Sequence, residues 1–139
     1  MDFDFSDREK GFLSQLTTAL EDFARDRDLE AGDLETLHGH LIDALGILAP
    51  LGYLKVGLSR PDPPLAGTLA LMAAMERLAV VSPSLFLAVE TSTRLFGRAL
   101  ALGEAAPECE TLAKQLAAGE VVGAVALSEA AMNVENDPL

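Results

Sequence analysis

Residues 112–139, LAKQLAAGEVVGAVALSEAAMNVENDPL, decide the fold class because the pattern of apolar residues changes within them. Up to Ala118 the pattern is helical, and Gly119 is a typical helix end. From Val121 to Leu127, branched and long apolar residues stand among small ones, which predicts a buried strand. One strand cannot form a sheet. The sequence therefore predicts a helical domain over residues 1–119 and the start of a truncated, β-rich domain over residues 120–139.

The residues before this stretch contain the signals of further helices. A capping box, in which a serine and a glutamate three residues later bond each other's backbone amides, opens the first. A serine followed by proline opens the fourth. The predicted helices begin at Ser6, Asp33, Leu65, Ser82 and Pro107. The predicted fold is all-α: an up-and-down bundle of about five helices, followed by one C-terminal strand.

Two of these helices carry more specific predictions. The third, Leu65 to Val80, is apolar nearly all round, which is typical of a helix in the middle of a bundle. Met72 and Met75 are interpreted as packing filler in preference to pocket lining. In the fourth helix, apolar and small residues recur at spacings of three and four, which predicts one continuous stripe. The stripe consists of Leu85, Ala88, Ser92, Leu95, Ala99 and Leu102.

The charge of the chain limits its partners. Asp and Glu number 22 against 10 Lys and Arg, so the formal net charge is −12. Such a field repels nucleic acid and anionic membrane surfaces, and neither is predicted as a partner. The longest uncharged run, Pro63 to Met75, is too short to span a bilayer. A single cysteine and an N-terminus without a secretion signal favour a reducing, cytoplasmic setting.

Few residues point to chemistry on their own. His38 and His40 are two apart and therefore face different sides of a helix, so no metal site is predicted there. Cys109 follows a glutamate, which disfavours a nucleophilic thiolate. Glu90 lies among apolar and hydroxyl side chains in the fourth helix. It is either a catalytic carboxylate or, the favoured interpretation, part of a polar face or network.

The order of local motifs resembles the N-terminal helical domain of the acyl-CoA dehydrogenases. The resemblance extends over nearly the whole chain and depends on several modest motifs in the family's order. These are the capped first helix, Leu51-Gly52-Tyr53-Leu54, Met75-Glu76-Arg77-Leu78-Ala79 with Ser82-Pro83-Ser84-Leu85, Leu102-Gly103-Glu104, Leu112-Ala113-Lys114-Gln115-Leu116-Ala117-Ala118-Gly119-Glu120, and Gly123-Ala124-Val125-Ala126-Leu127-Ser128-Glu129.

The resemblance implies an FAD-dependent oxidoreductase of fatty acid metabolism that dehydrogenates the α,β bond of an acyl-CoA thioester. It implies an electron-transfer flavoprotein or similar acceptor, and a homo-oligomer for the full-length protein. Carried over, the flavin contacts are Val125, Leu127 and Ser128, with Ser128 the favoured one. Phe86, Leu87 and Glu90 are candidates for the acyl pocket. The catalytic base is expected outside these residues, so the fragment alone is expected to be inactive.

The chain departs from the family pattern after Glu129, where Ala130-Ala131-Met132-Asn133 replaces the usual Pro-Xaa-Ala-Gly. This makes it an outlying member and leaves its contacts with CoA open. Two other hypotheses remain: a non-catalytic helical module or subunit that pairs with a dehydrogenase-like partner, and a generic helical module whose likeness to the family is coincidental.

Overall fold

A computed structural model of the chain describes residues 4–30, 32–55, 68–102 and 107–126. These residues are mainly helical. The elements are α1 (Asp7–Ala24), α2 (Leu34–Leu48), a 3₁₀ turn (Tyr53–Lys55), α3 (Thr68–Val81), α4 (Pro83–Glu90), a π-helical segment (Thr91–Phe96), α5 (Gly97–Leu102) and α6 (Pro107–Ala117). The parts from α4 to α5 follow one another without a break and are together called the long helix. Counted in this way, the described residues form five helices, as predicted.

The predicted helix starts are confirmed wherever the residues are described. The amide of Ser6 donates to Glu9 Oε2 at 2.8 Å, and the amide of Glu9 donates back to Ser6 Oγ at 3.3 Å. Asp33 Oδ1 accepts from the amide of Thr36 at 2.9 Å. These caps could be predicted because each joins residues within a single turn.

The core lies where α1 packs against its neighbours, with α3 in the most extensive contact. Spacings of three and four place Leu13, Leu16, Leu20 and Phe23 on one face of α1, and all four are buried. The three leucines pack in one cluster with Leu45 and Leu48 of α2, Leu78 of α3 and the 3₁₀ turn. Removing each of these large side chains from water contributes roughly 1.5–3 kcal/mol to folding. This apolar contact holds the helices that carry the candidate site.

α3 packs against both α1 and the long helix, but it is not buried on all sides as its apolar sequence predicts. Its buried face is formed by Ala70, Ala74 and Leu78, while Met72 is 61% exposed. Small alanine side chains let a neighbouring helix approach closely, so this face, and not the larger methionine, packs inward. Met72 is therefore not packing filler, whereas Met75 is half-buried. Leu65, the predicted start of this helix, lies outside the described residues.

The single stripe predicted for the fourth helix is also wrong beyond its midpoint. Leu85 and Ser92 are buried as expected, but Leu95 is 54% exposed. The change follows the π-helical segment, whose wider turn alters which residues face inward. Phe96 is half-buried in the place that the regular spacing gave to Leu95. The π-helical segment thus changes the register of the long helix.

The chain leaves α6 through a left-handed glycine. Gly119 has φ +73°, and the amide of Glu120 donates to the carbonyl of Gln115 at 2.9 Å. This is the Schellman arrangement, and it confirms Gly119 as the helix end. Residues 121–126 then belong to no helix and pair with no strand among the described residues. The rest of the predicted strand lies outside these residues, so the strand stays a prediction.

Within the described ranges, the helices are too short or too polar for any of them to cross a lipid bilayer.

Candidate functional site

The long helix buries a pair of opposite charges. Glu90 is the last residue of α4 and Arg94 lies one turn later, so their side chains occupy neighbouring positions on one face. Arg94 Nε lies 3.5 Å from Glu90 Oε2, and the two side chains are only 14% and 11% exposed. Two charges taken out of water need further polar contacts to offset their lost hydration.

Tyr53 of the 3₁₀ turn supplies these contacts. Its hydroxyl donates to Glu90 Oε1 at 2.8 Å, and its carbonyl accepts from Arg94 Nη2 at 3.1 Å. The Arg94 guanidinium also lies over the Tyr53 ring, 5.0 Å from its centre. We call Tyr53, Glu90 and Arg94 the Tyr53 cluster. It joins the 3₁₀ turn to the long helix through a cation, an anion and an aromatic ring.

The electrostatics of the cluster favour a structural role for Tyr53 and Glu90 over a catalytic one. Burial, and then the negative charge of Glu90, raise the pKa of Tyr53 well above its ordinary value. Tyr53 therefore remains a protonated hydrogen-bond donor at neutral pH and cannot serve as a base there. These contacts make Glu90 a member of a buried network, which is the favoured of the two interpretations that its sequence allowed.

Two atoms of the cluster keep unused hydrogen-bonding capacity. Glu90 Oε2 and Arg94 Nε are buried and make no hydrogen bond with the described residues. They face each other at the 3.5 Å separation of the ion pair, beyond good hydrogen-bond geometry. Coulomb attraction, and not a hydrogen bond, therefore joins these two atoms.

The π-helical segment begins directly after Glu90 and holds two buried hydroxyls. Thr93 Oγ1 donates to the carbonyl of Val89 at 2.6 Å and accepts from Arg94 Nη1 at 3.0 Å. Ser92 Oγ accepts from the amide of Gly123 at 2.9 Å. Single π-helical turns within α-helices occur frequently at functional sites. Here the segment links the Tyr53 cluster on one side with residues 120–126 on the other.

Gly123 lies directly against the ring of Phe96. A Cβ atom added to Gly123 would come within 1.8 Å of Phe96 Cδ1, so glycine is required for this approach. We call Ser92, Phe96 and Gly123 the seat of residues 120–126. The seat fixes the backbone two residues before Val125, the first of the predicted flavin contacts.

The six residues predicted from the resemblance have different surroundings. Phe86 is half-buried and packs against the main core, whereas Leu87 is 63% exposed. Glu90 belongs to the Tyr53 cluster, so the three acyl-pocket candidates, although close together on α4, differ in burial and contacts. Val125 is half-buried next to the seat. Leu127 and Ser128 lie outside the described residues.

Residues 124–126 have features that fit the edge of a flavin. Val125 offers a half-buried apolar side chain between the exposed Ala124 and Ala126. The amides of these three residues have no hydrogen-bond partner within the described part of the chain. A planar, partly polar ring system needs N–H donors beside an apolar surface, and these residues, which belong to no helix, supply both.

A second polar contact joins the loop after α1 to the start of the long helix. The Glu30 carboxylate accepts from the hydroxyls of Ser82 and Ser84 and, at 3.2 Å, from the amide of Ser84. These hydrogen bonds, led by that from Ser82, lower the pKa of Glu30. A carboxylate at a helix N-terminus is also favoured by the helix dipole. The contact fixes the entry to the helix that carries the site.

Sequence reasoning missed most of the contacts around the site. Glu90 and Arg94 are opposite charges at helical spacing in an otherwise apolar segment, a signal that could have indicated a buried pair. The partnership with Tyr53 and the contact of Phe96 with Gly123 have no such local signal. Both join residues that are far apart in the chain.

Comparisons with models of protein families, with curated proteins and with solved structures found no match for this chain. The resemblance to the acyl-CoA dehydrogenases therefore depends on the sequence motifs themselves.

Proposed function

We propose that the chain is the N-terminal helical domain of an FAD-dependent acyl-CoA dehydrogenase. The proposal combines the ordered sequence motifs with one structural observation: residues 120–126 are held against the π-helical segment. Residues 120–126 contain the first part of the run from Gly123 to Glu129, in which the resemblance implies the flavin contacts. The helices thereby support the backbone immediately before those contacts.

In the proposed reaction, each part of the chain has a limited role. FAD held beside these residues would supply an acceptor for the hydride of the acyl thioester's β-carbon. Val125 would contact the flavin edge with its side chain, and neighbouring amides would donate hydrogen bonds to it. Ser128 would add a hydroxyl donor. The chain itself would bind and orient, while the base that removes the α-proton would come from outside these residues.

The acyl-pocket candidates differ in what they can contribute. Leu87 has the exposed apolar side chain that contact with an acyl chain requires. Phe86 contributes to the core behind it. Glu90 is committed to Tyr53 and Arg94, so in this proposal it stabilises the helix and does not act on the substrate.

Exposed apolar side chains also support a second candidate function, a non-catalytic helical module that pairs with a dehydrogenase-like partner. Large apolar residues lie exposed on α3 and the long helix: Leu69, Met72, Val80, Leu87 and Leu95. Groups of such residues are typical of a surface that another domain or subunit covers.

The absorption spectrum of the purified product of the complete natural reading frame tests the first proposal. We expect a bound-flavin spectrum that bleaches when a suitable acyl-CoA thioester is added without oxygen. A panel of chain lengths then defines the substrate. A protein that stays colourless after incubation with FAD would refute the dehydrogenase proposal and favour the helical module.

A further inference from the structure

The seat makes two independent contacts with one glycine. Ser92 Oγ accepts the Gly123 amide at 2.9 Å. This is the only hydrogen bond that ties residues 121–126 to the helices within the described part of the chain. The Phe96 ring lies against the Cα of the same residue, where no side chain has room. A directional hydrogen bond and a close steric contact together allow the backbone little freedom to shift.

The seat depends on the π-helical segment. Ser92 and Phe96 lie about one turn apart and therefore share one face of the helix. The altered register directs Phe96 to Gly123 and leaves Leu95 in solvent.

The neighbouring Tyr53 cluster and the Thr93 hydrogen bond to Val89 hold the helix on either side of Ser92. The seat is thus built into a part of the helix that polar contacts already fix.

We propose that Ser92, Phe96 and Gly123 are positioning residues for the flavin. They act through the backbone by setting where Val125 and Ala126 are presented to the isoalloxazine edge. This inference rests on the proposed function, to which it adds a set of residues that do not themselves touch the flavin. If the contacts of Ser92 and Phe96 with Gly123 are lost, the residues that touch the flavin are still present but are displaced. Flavin binding is then weaker, and the surroundings of the bound flavin change.

The first test compares Ser92→Ala with Thr91→Ala in the complete protein. Both variants lose one hydroxyl from the π-helical segment, but Thr91 is exposed while Ser92 is buried. We expect Ser92→Ala to weaken flavin binding about five- to tenfold, as loss of one hydrogen bond implies. Hydrogen exchange at residues 120–126 of the flavin-free protein should also accelerate. Thr91→Ala should change neither quantity.

A second pair of variants separates positioning from simple destabilisation. Gly123→Ala places a methyl group against Phe96, and Phe96→Ala makes room for it. We expect Gly123→Ala to shift the visible absorption and circular dichroism of the bound flavin, and Phe96→Ala in the same protein to restore them in part. A role limited to stability would lower the melting temperature and leave the spectrum of bound flavin unchanged.

The outcomes distinguish this inference from the proposed function. A wild-type protein that binds no flavin overturns both, while the exchange measurement still shows whether Ser92 holds residues 120–126. A protein that binds flavin equally well with alanine or serine at position 92, and whose flavin spectrum is unchanged in Gly123→Ala, overturns the inference alone. Faster exchange without any change in flavin binding also overturns it.

Discussion

The buried charge pair predicts that Arg94→Met is one of the most destabilising substitutions in the chain. The Arg94 guanidinium donates to Tyr53 at 3.1 Å and to Thr93 at 3.0 Å, and it neutralises Glu90. Methionine fills much of the space but leaves a carboxylate that is 11% exposed with only one hydroxyl donor. Removing one member of such a pair costs about 3–5 kcal/mol. A typical domain has only about 5–15 kcal/mol of stability in total.

Another pair in the same chain provides the control. Glu110 and Lys114 have the same spacing of four residues, but their side chains are 73% and 74% exposed. Because water already solvates both charges, Lys114→Met should leave the free energy of unfolding almost unchanged. Comparing the two substitutions holds the spacing and the new residue constant and varies chiefly burial.

A double variant tests the cause of the loss. Glu90→Gln combined with Arg94→Met removes the stranded charge, so it should be more stable than Arg94→Met alone. Urea unfolding followed by far-ultraviolet circular dichroism measures all of these variants. This explanation is refuted if Arg94→Met lowers the free energy of unfolding no more than Lys114→Met does. It is also refuted if the double variant loses as much free energy of unfolding as the single variants Glu90→Gln and Arg94→Met lose when added together.

Two further predictions concern pH and the chain's exit from α6. Hydrogen bonds lower the pKa of Glu30 from an ordinary value of 4.5. The ionised carboxylate therefore stabilises the fold at pH values above 4.5. This contribution to stability disappears as the pH falls through the lowered pKa. The melting temperature of the wild type should therefore fall in this acid range more steeply than that of Glu30→Gln; parallel curves would contradict this. Gly119→Ala should destabilise by about 1–2 kcal/mol in urea unfolding, because alanine resists the left-handed backbone and its Cβ would lie 3.1 Å from the carbonyl oxygen of Leu45. Gly11→Ala in α1, where the added Cβ meets nothing within 4 Å, should instead stabilise by about 0.5–1 kcal/mol, and equal effects at the two glycines would contradict the argument.

The helices could be predicted because their signals are local. Caps such as Ser6 with Glu9 depend on residues within one turn, and the buried stripe of α1 follows from helical spacing alone. Glycine at position 119 likewise marks a helix end by its own conformational freedom. None of these inferences required knowledge of what the helix packs against.

Predictions of which residues face inward failed where packing against neighbouring elements determines which side chains are buried. Met72 is apolar, which favours the interior, but the alanines of α3 give the closer packing. Leu95 continues a regular spacing that the π-helical segment interrupts. The cluster joins Tyr53 to Glu90 across 37 residues. Long-range contacts of this kind leave no periodic signal in a single sequence, so the seat was not predicted either.

The Tyr53 cluster also gives this 139-residue chain a built-in optical reporter. The chain has one tyrosine and no tryptophan, so tyrosine fluorescence comes from Tyr53 alone. Photoexcited tyrosine is a much stronger acid than its ground state and readily passes its proton to a hydrogen-bonded carboxylate, which quenches the emission. Because the Tyr53 hydroxyl donates to Glu90, the folded protein should be dim and the opened cluster bright. Brightening that precedes the loss of helical circular dichroism would time the opening of this site, without any added dye.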